Sequence, residues 1–511
     1  MTQLPKRLPK LAKERINSDK WVDEDIWGHR LYDEQTPWMT LLEFLNVFCH
    51  ENQRSRALEE PNGYNTLEYS VPPRWELRHI LFNDPKLDLI QKENGGDSTR
   101  WDKWLSEMNG VPRVQHPGFG YLREHFGRFD DFVEVVNQLR ISSIEGSSNK
   151  RWTSKFVFPY GSDCLYEDLD QKGTNDRRFF GRTGELLYLM LCRCSPELRA
   201  QLVELIRKRL LNDSTVWNRV CRALQPSNVL AGSLRQDAYL PYQSLPAFDA
   251  MAEDWIALLR LNFPEHDVMP HLVNVTGLHL LRYFLGMAKV AIGENTNATF
   301  VCEIVAPKKT FVRERAIENY LENNGLSLRA VETYLSSFQK SQEWQQALVS
   351  AAPFVSCKAL LAEHFLWGED YSGPDDADKL FASLVESAKS RHRQHLANIH
   401  RAYGREIGLV SKRGTNRLRY APTDELLKGL LFTCVDKRME LKHFMSRLYQ
   451  RYGLVFGSSE AACVLSIDLF EMKPFEANAR RLEQRLGSLG LLKRLSDGCA
   501  YVINPYAGEK A

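Results

Sequence analysis

FEANARRLEQRLGSLGLLKRLSDGCAYVINP, residues 475–505, carries two periods in succession. Leu482, Leu486 and Leu489 recur at helical spacing while Arg480, Arg481 and Arg485 lie elsewhere around the same helix. The spacing predicts a helix from Phe475 to Gly487 with one buried face and a basic outer side. Gly487 and Gly490 end that period, and Leu491 and Leu492 open an apolar strand. Asp497-Gly498 suits a two-residue hairpin turn, and Ala500 to Ile503 returns as a second strand.

Upstream, helical patterns run from about Glu440 to Tyr452 and from Ser459 to Ile467. With three helices and a wing at 491–504, residues 437–505 resemble a winged-helix domain, over under a fifth of the chain. The resemblance implies a third helix in the DNA major groove and a wing against the backbone. It makes Arg480, Arg481, Arg485, Lys493 and Arg494 the candidate phosphate or base contacts. Winged helices also bind proteins, so a protein-only scaffold stays open.

The strongest basic cluster lies just before that region. Lys389, Arg391, Arg393, Arg401, Arg405, Lys412, Arg413, Arg417 and Arg419 face only Glu406 within 389–419. KSRHRQHLANIHRAYGREIG, 389–408, reads as one long basic helix, and GLVSKRGTNRLRYAP, 408–422, as a hairpin turning at 413–416. Each cation on DNA contributes about one unit to the salt slope of binding. His392, His395 and His400 have no companion at metal-ligand spacing.

Composition confines any nucleic-acid affinity to such local clusters. The 511 residues hold 67 Lys plus Arg against 65 Asp plus Glu, a formal charge of +2, with 43% hydrophobic and 26% charged residues. That balance belongs to ordinary globular domains, about three by length. Ten scattered cysteines without a CxxC pair exclude a zinc ribbon and a secreted disulfide scaffold. No run approaches a membrane span, and the basic N-terminus lacks the apolar stretch of a signal peptide, so the expectation is a cytoplasmic protein without membrane association.

The chain divides into an N-terminal helical segment, 1–150, a central helical segment, 151–370, with a short strand near 299–306, and the basic helix-hairpin and winged-helix region, 379–511. Thr36-Pro37 predicts a capped helix through Phe48. Asp163, Glu167, Asp168 and Asp170 lie in an acidic loop that misses the spacing of a calcium hand and reads as solvated. Arg177, Arg178 and Arg182 cluster before a helix starting near Thr183, a candidate anion site. LVNVTGLHLLRYFLGMAKVAI, 272–292, is apolar almost all round and reads as a central core helix. Within 312–338, Asn323-Asn324-Gly325 reads as a break between two helices.

No nucleophile-base-acid set, P-loop or metal motif stands in the chain, so neither a catalytic residue nor a cofactor is expected. The expectation is a mainly α fold with small β elements, in which a multidomain helical body ends in a winged-helix region. With GRTGELLYLML, 181–191, and the basic hairpin before YAPTDELLKGLL, 420–431, the chain loosely resembles accessory subunits encoded beside helicases and methyltransferases in bacterial anti-phage defence islands. That resemblance implies a non-catalytic DNA-binding or assembly subunit whose partners, a helicase, ATPase or nuclease, carry the chemistry. The alternative is a divergent metal-dependent nuclease using Glu303 with the nearby Lys308 and Lys309.

Overall fold

The computed structural model describes residues 22–28, 31–60, 67–114, 118–145, 155–169, 182–235, 238–264, 266–365, 367–368, 371–412, 417–496 and 499–508. The fold is mainly α, with sheets of two or three short strands. Two compact units are present, one built from residues 34–188 and 203–238, the other from 1–33, 189–202 and 239–511.

In the smaller unit the helix Pro37–Gln53 begins where the sequence places it: Thr36 Oγ1 accepts the Met39 amide at 3.4 Å and proline occupies the first turn. Its Leu41, Phe44, Leu45 and Phe48 are fully buried. A second cluster joins Trp101, Trp104, Phe129 and Phe132, with the indole N–H of Trp104 donating to Asp84 Oδ2 at 2.6 Å and that of Trp101 to the Gly127 carbonyl at 3.1 Å. Each large ring thus enters the core without an orphaned donor.

The larger unit is built on α1, Val268–Ala291, whose residues are apolar on nearly all sides and mostly buried. Helices Pro246–Leu259, Leu396–Glu406 and Asp424–Cys434 pack around it, as does α2, Phe311–Gln339. Asp254 ties its own helix, Pro246–Leu259, to α1 and to the helix Leu441–Tyr452. Its Oδ2 is 2.7 Å from His279 Nε2 on α1 and accepts the Tyr452 hydroxyl at 2.7 Å, while Oδ1 accepts Arg451 Nε at 2.6 Å. Burial raises this carboxyl, but the hydrogen bond and charge of His279 and the Arg451 guanidinium outweigh it and hold the carboxyl below its ordinary value. Among the described residues no helix is long and apolar enough to cross a membrane.

Two helical expectations are corrected. Helix α2 runs unbroken through Asn323-Asn324-Gly325. The side chains that compete with a helix are engaged sideways: Asn323 Nδ2 donates to the Thr299 carbonyl and the Tyr420 hydroxyl, each at 2.9 Å, and Asn324 Oδ1 lies 3.1 Å from His400 Nδ1. The basic stretch is two helices, Ala377–Gln394 and Leu396–Glu406, separated at His395 with φ −127° and ψ −63°.

The C-terminal part contains β2, Arg438–Glu440, α3, Leu441–Tyr452, β3, Leu454–Val455, α4, Ser458–Val464, α5, Met472–Ser488, β4, Leu492–Ser496, and β5, Cys499–Ile503. The hairpin expected at 491–504 is present, pairing Leu492 with Val502 and Lys493 with Tyr501. Strand β5 also pairs antiparallel with β2, giving a three-stranded sheet in the order β4-β5-β2. The turn residues Asp497 and Gly498 lie outside the described residues.

Of the strand expected over 299–306, only β1, Phe300–Val301, is regular, and it pairs parallel with β3. Beyond it the backbone finds other partners: the Cys302 amide donates to the Val455 carbonyl at 2.9 Å and the Glu303 amide to the Tyr420 carbonyl at 3.0 Å. Val301 and Val312 join Val455, Ala461 and Phe475 in one apolar cluster. Fully buried Asn478 on α5 completes the join. Its Oδ1 accepts the Ile304 amide at 2.8 Å, and its Nδ2 donates to the carbonyls of Cys302 and Phe456, both at 3.0 Å. Replacing Asn478 with leucine strands three buried backbone groups; the expected loss, read by chemical denaturation, is roughly 2–5 kcal/mol.

Candidate nucleic-acid interface

The nine cations of 389–419 separate into outward and inward groups. Arg393, Arg401, Arg405, Lys412 and Arg417 are exposed, with Arg393 2.9 Å from Glu386 and Arg401 donating to Asn398 at 2.9 Å. Lys389 pairs with Glu332 at 2.8 Å, and Arg391 is largely buried 3.9 Å from Asp23. Arg413 and the hairpin turn at 413–416 lie outside the described residues.

Arg419 is corrected as a DNA contact. It is 1% exposed and its Nε donates to Oε2 of the fully buried Glu303, whose Oε1 accepts Arg313 Nε at 2.9 Å. A guanidinium in that position answers a buried carboxylate and presents no donor to solvent-borne phosphate. The same geometry bears on the nuclease alternative. Both oxygens of Glu303 are occupied by arginines, and no cluster of His, Cys, Asp and Glu among the described residues is arranged to hold a metal ion.

On α5, Arg480 and Gln484 are exposed, whereas Arg481 and Arg485, one turn apart, face the chain itself. Arg481 Nε donates to the Ile304 carbonyl at 3.3 Å; Arg485 pairs with Asp424 and donates to the Pro422 carbonyl at 3.1 Å. Both are half-buried, with donors engaged by the chain itself. On β4, Lys493 and Arg494 are exposed, with Arg494 3.0 Å from Glu483. Exposed Lys442 on α3 lines the same small hollow as Arg494. The sequence reading missed Lys442 because only the strand pairing of β2 with β5 brings it beside the hairpin.

The helix Thr183–Cys192, whose first turn lies in the smaller unit, meets an acidic side chain of the protein at its N-terminus. The Gly184 amide donates to Glu43 Oε2 at 2.7 Å and the Thr183 amide to Gln35 Oε1 at 3.1 Å. Arg182 donates to Glu185 of the same first turn at 2.7 Å. Arg177 and Arg178 lie outside the described residues. The acidic loop is likewise corrected: Glu167 and Asp168 are each 1% exposed, with Glu167 accepting Ser233 Oγ at 2.8 Å and lying 3.3 Å from Arg235 Nε. Asp163 accepts Arg222 Nε at 2.9 Å, and Asp170 lies outside the described residues.

Burial, followed by the charge of Glu185, pushes the Glu43 carboxyl up to about 7, although Arg235, Gln35 and the Gly184 amide act in the opposite direction. A carboxyl raised on folding favours the folded state while protonated, and that contribution disappears as pH rises through its folded pKa. The thermal midpoint is therefore expected to fall between about pH 5 and about pH 8, and Glu43→Gln to flatten that dependence. An unchanged profile in the variant would contradict the assignment.

No protein-family model matches the chain, and comparison with curated proteins gives no match.

Proposed function

We propose that the C-terminal part of the larger unit binds duplex DNA as a winged helix, using Arg480 on α5, Lys493 and Arg494 on the hairpin, and Lys442 beside them. The observation that carries this reading is the order β2-α3-β3-α4-α5-β4-β5, in which β2, β4 and β5 form one three-stranded sheet and β3 pairs with β1, with those cations exposed. Exposed Arg393, Arg401, Arg405, Lys412 and Arg417 are a second source of phosphate contacts. With a formal charge of +2 for the whole chain, affinity on this reading depends on such local groups. The reading makes the chain the DNA-contacting or assembly subunit of a bacterial multi-protein system, of the anti-phage kind, whose chemistry a partner enzyme supplies.

Fluorescence anisotropy with a labelled duplex and a labelled single strand, titrated at several salt concentrations, tests it. Changing Arg480, Lys493 and Arg494 together to glutamine should lower the salt slope by about three units and weaken duplex binding at low salt. Arg419→Gln should leave the slope unchanged and lower the thermal midpoint instead, because it breaks a buried ion pair. Absence of duplex binding at low salt, or a triple variant that binds like the parent protein, would leave a protein-only scaffold.

A further inference from the structure

The larger unit contains a cavity of about 920 Å³ between α1, α2, the end of α3 and the chain following α4. That volume lies within the size range of small-molecule sites, roughly 300–1,000 Å³. Its lining is polar where ligand pockets are commonly apolar, with Asn297, Asn319, Asn323, Thr299, Gln450 and Ser466 among the wall residues.

Charges around this cavity are unevenly answered. Lys289 is 3.3 Å from Glu294 and donates to Thr296 Oγ1 at 3.0 Å; Arg329 is 3.7 Å from the same Glu294. Arg315 pairs with Glu318 at 2.8 Å. Arg282 differs. Among the described residues it has no hydrogen bond and no carboxylate within ion-pair distance, and its guanidinium lies 5.9 Å from the centroid of the Tyr452 ring. The carboxylate behind that ring, Asp254, is already engaged by Arg451, His279 and the Tyr452 hydroxyl. Burial presses the Arg282 pKa below its ordinary value, with the Tyr452 and Asp254 side chains acting in the opposite direction. Glu322, also in the wall, has no ion pair among the described residues and offers an acceptor to a hydroxyl or amine.

We propose that this cavity binds a small polar ligand carrying an oxyanion, a phosphate or a carboxylate, whose oxygens pair with the Arg282 guanidinium. A guanidinium presents two parallel N–H donors to such a group, which adds orientation to charge. The ligand would touch α1 and α2 on one side and the α3–α4 region on the other. The inference does not rest on the DNA reading, and its test contains no nucleic acid.

Cys463 supplies the readout, because it is exposed and lines the cavity, while Cys499, also exposed, lies outside that lining. Alkylation of both thiols would be followed by mass spectrometry on the full chain with pyrophosphate, ADP or citrate, and with sodium chloride at equal ionic strength. At least one oxyanion probe should slow modification of Cys463 about tenfold at saturation and leave Cys499 unchanged. Protection by pyrophosphate and ADP assigns a phosphate ligand; protection by citrate alone assigns a carboxylate. Arg282→Gln should raise the protecting concentration at least about tenfold. If that variant does not fold, Arg282→Lys, which keeps the charge and loses the two-pronged geometry, carries the comparison. No protection by any probe at 10 mM, or equal protection in the arginine variants, would overturn the proposal.

Discussion

A buried carboxylate in one short stretch, and a buried amide that reaches the same stretch from α5, hold the C-terminal half of the larger unit in place. Glu303 sits fully buried between Arg313 and Arg419, and the neighbouring backbone at Cys302 and Ile304 is hydrogen-bonded by Asn478. The ion pairs connect this stretch to α2 and to the hairpin strand Arg419–Tyr420, while the amide connects it to α5. Removing one partner from such an arrangement exposes the other to an uncompensated desolvation cost, commonly about 3–5 kcal/mol for a buried ion pair. Residues distant in sequence are therefore obliged to stay together, and β1 can add itself to β3 in a parallel pair.

That constraint changes the meaning of several charges. An arginine directed at Glu303 or at a backbone carbonyl organises the chain; an arginine on the opposite side of the same element remains open to a partner. Arg481 and Arg480 are adjacent in sequence but divide in this way around α5, while Arg419 is enclosed in its short strand and Arg417, just before that strand, is exposed. In the cavity the distinction reverses. Among the described residues Arg282 has no carboxylate within ion-pair distance, and Asp254, which acts on it only through space, is hydrogen-bonded by three other donors.

Periodicity was readable wherever local physics controlled the outcome. The Thr36 cap with Pro37 behind it, the apolar α1 and the helix-then-hairpin pattern of 475–505 all produce elements near their expected bounds. Asn323-Asn324-Gly325 reads as a helix stop on local propensity alone, yet three long-range side-chain contacts keep α2 intact. Burial of charge was less readable. An acidic run such as the one containing Glu167 and Asp168 has the same composition whether it is solvated or enclosed, and Ser233 and Arg235, near Glu167 only in three dimensions, cannot be chosen from spacing.

By itself the sequence determined the helical character of the protein, the position of its terminal hairpin and the stretches where positive charge is concentrated, because all three follow from residue type and short-range period. Only tertiary structure decided which cations point outward, which carboxylates are enclosed, and that Arg282, Glu322 and Cys463 line one cavity. The physical reason is that a charge's role depends on its desolvation and nearest counter-charge, and both are set by contacts between residues far apart along the chain.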